Sequence, residues 1–378
     1  MRKPLTHLRV LDLTINMPGP FCSMILADLG ARVIKIEPPG GDPLRQVPGM
    51  FASVNRGKES LVLNLKRPRA REVLRRLATA VDIVLEGWRP GVAERLGADY
   101  RTLAAANPRL VYCSISGFGQ DGPWRARPGH DLNYLALGGY LGLQTRARGH
   151  PAPPPILLAD MAAGLYATVA VLAAVSARAV TGTGTWIDLS MTDAVVALLG
   201  PEIGRMSAEG KAPTQPNVTF IPHYGLFPCA DGAWLSLGVV HEDHFWDRLC
   251  DVTGLDHLRG LAFTERVVQA AAIRSALHRA FLSKPAEEWE RRLLEAGVPA
   301  AQVLGLDEVL ATPHFHQRGL LIELEGHCYV GQPMRFGGAT AAPAAPPPRL
   351  GEHAAEVLRE VGMSQADLEA LQREGALG

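Results

Sequence analysis

The stretch "LRVLDLTINMPGPFCSMILADLGARVIKIE", residues 8–37, decides how the chain is read. Residues 8–14 form an apolar run of strand length. Pro-Gly-Pro follows as a turn, residues 21–30 carry a helical pattern ending on Gly30, and residues 31–37 are strand-like again. Strand, turn, helix, strand is the repeating unit of a parallel sheet with crossover helices. Outward from it the alternation continues. "ESLVLNL" reads as a strand, and "PRAREVLRRLATA" as a helix with Val73, Leu74 and Leu77 on one stripe. "VDIVLE" and "RLVYCSISG" are two more strands. The pattern predicts an α/β fold: a Rossmann-like large domain with a parallel sheet and right-handed connections, plus a smaller α+β domain.

The first turn, "TINMPGPF", lacks GxGxxG, and no Walker A motif follows. A dinucleotide cofactor is therefore not expected. With 378 residues the chain is too long for one core. The alternation stops after "TGTGTWIDLSMTDA", and residues 201–220, polar and proline-bearing, read as a linker. Residues 221–334 read as the small domain. There "YGLFPCADGAWLSLGVV" is a hairpin turning at Asp231-Gly232, and "EDHFWDRLCDVTG" and "PAEEWERRLLEAGV" are helices. The Pro/Ala-rich "GGATAAPAAPPPRLGEH" is an extended connection. It leads to two helices, "AAEVLREVG" and "SQADLEALQREG", assigned back to the large domain of residues 1–200 and 335–378.

The 38 basic and 38 acidic side chains balance. A nucleic-acid partner and steering to an anionic membrane are not expected. The five cysteines, at 22, 113, 229, 250 and 328, show no CxxC spacing. They predict reduced thiols, no metal site and a cytoplasmic setting. The N-terminus lacks a signal-peptide pattern. Residues 161–180 are apolar but closed by Arg178, shorter than the ~20 residues of a membrane span. They predict a helix buried against the sheet, and no membrane partner.

Chemistry concentrates in a few places. "RPGHDLNYLALGG", residues 127–139, carries His130 at the start of a helix, with Asp131 as its cap. Imidazole titrates near neutrality and suits proton transfer. Asp160, between "PAPPPILLA" and an apolar run, is either an N-cap or a desolvated catalytic carboxylate. Helix dipole and burial push its pKa in opposite directions. Glu242 opens another helix in "VVHEDHFWDRLC". Arg45, Arg56, Lys58, Lys66, Arg89 and Arg95 mostly follow strand-like runs. Ligands of open parallel sheets bind at the carboxyl ends of strands, so these cations suit a phosphate-bearing ligand.

Together the motifs "NRGKESLVLNLK", "VLEGWRPGVAERLG", "NPRLVYCSISGFGQDGP", "GTGTWIDLSMTDA" and "RLGEHAAEVLREVG" resemble the family III CoA-transferase/racemase (CaiB/BaiF) family. The likeness covers nearly the whole chain. It implies an acyl-CoA thioester as substrate, no further cofactor, and an interlocked homodimer. It also implies CoA contacts at Arg45, Arg56, Lys66, Trp88, Arg89, Arg95, Asp131 and Tyr134. "GHDLNYLAL" is similar to the racemase branch. By that resemblance His130 and Asp160 are the two bases and Glu242 orients His130. The implied reaction is racemisation of 2-methylacyl-CoA by proton transfer through an enolate, within lipid metabolism. The alternative is CoA transfer between carboxylic acids through an anhydride on Asp160; a third is a catalytically silent acyl-CoA binder. Two positions depart from the racemase pattern. Ile156 stands where an asparagine often supports the aspartate. Pro38 stands where an arginine often meets CoA, a role the reading gives to Arg45.

Overall fold

The computed structural model describes residues 3–211, 220–341 and 345–378. The chain runs β1 (Arg9–Asp12), α1 (Pro18–Asp28), β2 (Arg32–Glu37), α2 (Pro48–Asn55), β3 (Glu59–Val62), α3 (Pro68–Thr79) and β4 (Ile83–Glu86). It continues with α4 (Val92–Leu96), α5 (Tyr100–Ala106), β5 (Val111–Ser116), α6 (Asp131–Leu137), α7 (Tyr140–Arg148), α8 (Leu158–Thr181) and β6 (Thr185–Ser190). These six strands make one sheet, entirely parallel, in the order β3-β2-β1-β4-β5-β6. The strand order reverses direction between β1 and β4, which is where ligands enter doubly wound sheets.

Period-two alternation explains why the strands read as continuous apolar runs. Leu11, Ile34, Ile36 and Leu61 pack on one face with Leu74 and Leu77 of α3 and with Leu358 and Leu371 near the C-terminus. Val10, Val33, Leu85 and Val111 pack on the other with Leu26 of α1 and Ala163, Ala167 and Val171 of α8. Both faces are covered by helices, so the strand centres are apolar and the buried polar residues, Asp12, Glu37 and Glu86 among them, gather at the carboxyl ends. The C-terminal helices Ala354–Glu360 and Gln365–Arg373 therefore share the core of the sheet.

Three differences from the sequence reading bear on the sheet and its surroundings. β6 was hidden because it is the sheet edge, and most of its residues are not buried. Gly200–Glu209 is helix α10, following α9 (Met191–Leu198), where a linker was expected, and residues 212–219 of that linker lie outside the described residues. Helix α8 is buried on one face only. Its small residues, Ala159 to Ala174, turn inward, while Leu165, Tyr166 and Val169 face out. Arg178 closes it by pairing with Asp82 at 2.9 Å.

The chain divides into two compact units. The first holds Met1–Gly142, Ala152–Pro201 and Pro313–Gly378; the second holds Leu143–Pro151 and Glu202–Thr312. In the second, an antiparallel sheet of β7 (Tyr224–Pro228), β8 (Trp234–Gly238) and β9 (Ala300–Gln302) packs on helix α11 (Asp243–Thr253) and two further helices. The hairpin turn includes Asp231 and Gly232, and Gly254 ends α11 in the left-handed conformation, as the sequence predicts.

Under the carboxyl end of β1 lies a buried charge network. The Asp12 carboxylate accepts from Lys58 Nζ at 3.0 Å, Ser23 Oγ at 2.6 Å, and the amide and hydroxyl of Thr14. Lys35 Nζ donates to the Thr14 carbonyl at 2.9 Å and pairs with Asp42 at 2.9 Å. Burial alone would raise the Asp12 pKa, but Lys58 and Lys35 hold the carboxyl well below the usual range. Removing one partner of a buried pair costs about 3–5 kcal/mol. Lys58→Met should therefore destabilise the protein by about that amount in urea unfolding. Adding Asp12→Asn to it should restore part of the loss, because no lone carboxylate remains buried.

Candidate active site

The carboxyl ends of β1, β4 and β5 open into a cavity of about 430 Å³. One wall is the β1–α1 turn, Thr14 to Gly19, held by the Asp12 network. Gly19 is required there: a Cβ would lie 2.3 Å from the Thr14 side chain. The second wall is Gly87–Pro90 after β4, and the third is Ile115–Phe118 after β5. His130, Tyr134 and Asp160 line the same cavity, together with Arg89, Arg125 and Arg127. His130 and Asp160, thirty positions apart, thus meet one space. A second cavity of about 470 Å³ adjoins it through shared residues Arg89, Pro90, Val92 and Arg125, and adds Arg95 and Trp186.

Local structure explains how each group is held. His130 is the N-cap of α6, with extended backbone, and its amide donates to Asn133 Oδ1 at 3.0 Å. Asp131 does not cap that helix, as the sequence suggested. Its carboxylate reaches across to the start of α8 and accepts from the amides of Ala159 at 2.8 Å and Asp160 at 3.2 Å. Helix α8 has no side-chain cap of its own, so a residue of another helix satisfies its orphan amides.

Asp160 is consequently not an N-cap. It stands in the first turn of α8, with burial and the neighbouring Asp131 both pushing its pKa up to about 7. Of the two opposed effects read from sequence, burial prevails over the helix dipole. Tyr134 is wedged between Gly117 and Gly129, where a Cβ on either would lie within 2.7 Å of its ring. Its hydroxyl donates to the Gly129 carbonyl at 2.6 Å. This fixes the backbone next to His130.

Several expected CoA contacts have other commitments. Arg45 embraces Glu37 through two hydrogen bonds of 2.8 and 2.6 Å and also bonds the Pro348 carbonyl. Its guanidinium is engaged by Glu37, where the sequence reading assigns it a contact with CoA. Arg56 is buried, pairing with Asp28 and the Val330 carbonyl at 2.7 Å each. Lys58 belongs to the Asp12 network. Lys66 is exposed after β3 and lines neither cavity. Asp131 is a structural acceptor. Trp88, Arg89 and Arg95 do line the cavities. Glu242 lies in the second unit, where its carboxylate turns back to the Val240 amide at 3.1 Å. Hydrogen bonds from backbone amides, its own first, lower its pKa. Ile156 is exposed on the approach to α8.

Sequence reading missed Arg125 and Arg127, which sit in an irregular loop without strand or helix periodicity. It also missed Glu86. That carboxyl is buried at the end of β4, accepts from the Trp88 amide at 2.8 Å, and is pushed up to about 7 by burial. Among the described residues no cluster of three His, Cys, Asp or Glu gathers to hold a metal.

Residues 5–354 match the profile described as CoA-transferase family III. The acetyl-CoA:oxalate CoA-transferase of Acetobacter aceti is 36% identical over 96% of this chain and 97% of its own length. The succinyl-CoA:mesaconate CoA-transferase of Haloarcula hispanica is 34% identical over 95% of this chain and 96% of its own. The crystal structure of a CaiB/BaiF family protein from Brucella suis superposes with a TM-score of 0.87. It is 31% identical over 96% of this chain and all of that one.

A carboxyl whose pKa is raised by folding loses stability as pH rises from about 4 toward 7, because the ionised form is the penalised one. Asp160→Asn should remove that slope. Relative to the parent, the variant should gain on the order of 1–3 kcal/mol between pH 5 and pH 8 in urea unfolding. Asp131→Asn takes away one of the two causes and should move the residual titration to lower pH.

Proposed function

The chain belongs to CoA-transferase family III, and on that premise we propose that it moves coenzyme A between carboxylic acids with Asp160 as the nucleophile. The observation that carries this reading is the placement of Asp160: its amide pinned by Asp131, its carboxyl lining a cation-bearing cavity at the switch point of the sheet. The relatives named above carry CoA to oxalate or mesaconate, which supports a small acid as acceptor.

The reaction balances through two anhydrides. The ionised Asp160 attacks the thioester carbonyl, the C–S bond breaks, and CoA departs as thiolate. The thiolate then attacks the aspartyl carbonyl of the mixed anhydride, releasing the donor acid and leaving an aspartyl-CoA thioester. The incoming carboxylate displaces the thiolate, which finally attacks the new acyl carbonyl and regenerates Asp160. A raised pKa makes the carboxylate more basic, and at neutral pH a large fraction of it is still ionised. Arg89 and Arg95, in the adjoining cavities, suit the phosphates of CoA, and Trp88 lines the inner cavity.

Racemisation of 2-methylacyl-CoA is the second reading. It is favoured by one observation, the presence of His130 beside the same cavity as Asp160. There His130 and Asp160 exchange the α-proton. A homodimer is also part of the proposal, supported by the outward apolar face of α8 at Leu165, Tyr166 and Val169.

The readings part in one experiment. Acetyl-CoA or succinyl-CoA is mixed with the enzyme and an acceptor acid, and in parallel one epimer of a 2-methylacyl-CoA is incubated in D2O without acid. Transfer of CoA, a loss of roughly 10³-fold or more in Asp160→Ala, and retention in His130→Ala are expected. Deuterium uptake at the α-carbon that requires both His130 and Asp160, with no transfer, would instead establish the racemase.

A further inference from the structure

We propose that Arg127 selects the acceptor: it holds the distal carboxylate of a dicarboxylic acid whose other carboxylate reacts at Asp160. The inference rests on the transfer reading and names its substrate class. Four guanidiniums serve the two adjoining cavities. Arg95 lines only the outer cavity, Arg89 and Arg125 line both, and Arg127 lines only the inner one with His130 and Asp160. Among the described residues no ion pair involves any of the four. Their state contrasts with Arg45, Arg56 and Arg178, each of which is paired with an acid.

Arg127 is also held in place. Tyr134, anchored through its hydroxyl, meets Phe118 edge-on at 5.3 Å; Phe118 meets Trp124 edge-on at 5.9 Å; and the Arg127 guanidinium lies 5.7 Å from the Trp124 ring. This aromatic series runs from the floor beside His130 to the cation. It leaves the guanidinium's hydrogen-bond donors, which lie in its plane, free for a ligand. A planar fork of donors matches a carboxylate in two parallel hydrogen bonds. The inner wall also carries Ile15, Pro18, Phe118 and Met191, which are apolar, and Thr14, Asn16 and Ser116, which are polar but uncharged. A second carboxylate on the acceptor therefore finds its match at a guanidinium, and Arg127 is the one not shared with the outer cavity.

The test compares acids of matched chain length, succinate with butyrate and glutarate with valerate, using acetyl-CoA and succinyl-CoA as alternative donors. The parent enzyme is expected to prefer each dicarboxylate. Arg127→Met, an exposed position where the fold is not at stake, should raise KM for the dicarboxylates roughly 10- to 100-fold. With acetyl-CoA as donor, which has no second carboxylate, KM for the thioester and for the monocarboxylates should change by less than about threefold. Equal loss on both acid classes would place Arg127 on the reacting carboxylate and overturn the proposal. So would a rise confined to the KM of acetyl-CoA, which would assign Arg127 to CoA. A parent enzyme that uses both acid classes equally also overturns it, yet leaves the transfer reading intact. Failure to transfer CoA to any acid from either donor overturns the transfer reading and the proposal with it.

Discussion

Asp12 and Lys58 form an ion pair with no exposed surface, 3.0 Å apart, and the site above depends on it. Bringing two charges out of water costs several kcal/mol for each, and one contact does not offset that. The structure supplies the difference with further hydrogen bonds. Ser23, Thr14, Asn55 and the Pro20 carbonyl all bond to the pair. Each also ties down a piece of backbone, so the β1–α1 turn is held by bonds that leave it little freedom. In many sheets of this strand order a glycine-rich loop meets the ligand at this place. Here a pinned Thr14 and a single close-packed glycine, Gly19, shape the wall instead.

The same logic sorts the cations. Near the carboxyl ends of strands every Arg or Lys looks equally available in sequence, because charge alone does not reveal its partner. Arg45 and Arg56 are each matched to an acid, Glu37 eight positions before the first and Asp28 twenty-eight before the second. Their role is to close the fold around β2 and α1. Among the described residues Arg89, Arg95, Arg125 and Arg127 have no acid matched to them, and these are the ones that line the cavities.

The doubly wound sheet was legible because strands buried on both faces leave continuous apolar runs, a signal that needs no partner information. β6 was not, since an edge strand shows water one side and breaks the run. Of the site, His130 and Asp160 stood out by residue type beside helix starts. Asp131 stood out equally, but its function lies in a contact with amides 28 and 29 positions away. No local pattern encodes such a contact. Arg127 sits in a stretch without periodicity, and only the ring contacts of Tyr134, Phe118 and Trp124 connect it to the floor of the cavity.

The pKa of Asp160 does not choose between nucleophile and proton carrier. A carboxyl near 7 is partly ionised and partly protonated at neutral pH, and so is ready for either task. The cavity chooses. Arg89 suits the phosphates of CoA under either chemistry, but a 2-methylacyl chain moving past Arg125 and Arg127 would strip water from them while giving no hydrogen bond in return. An acid co-substrate meets the same wall with a charge that replaces the lost water. Among the described residues Arg125 and Arg127 form no ion pair, and two such guanidiniums beside Asp160 are costly for an apolar chain and favourable for an acid, which supports the proposed transfer over racemisation.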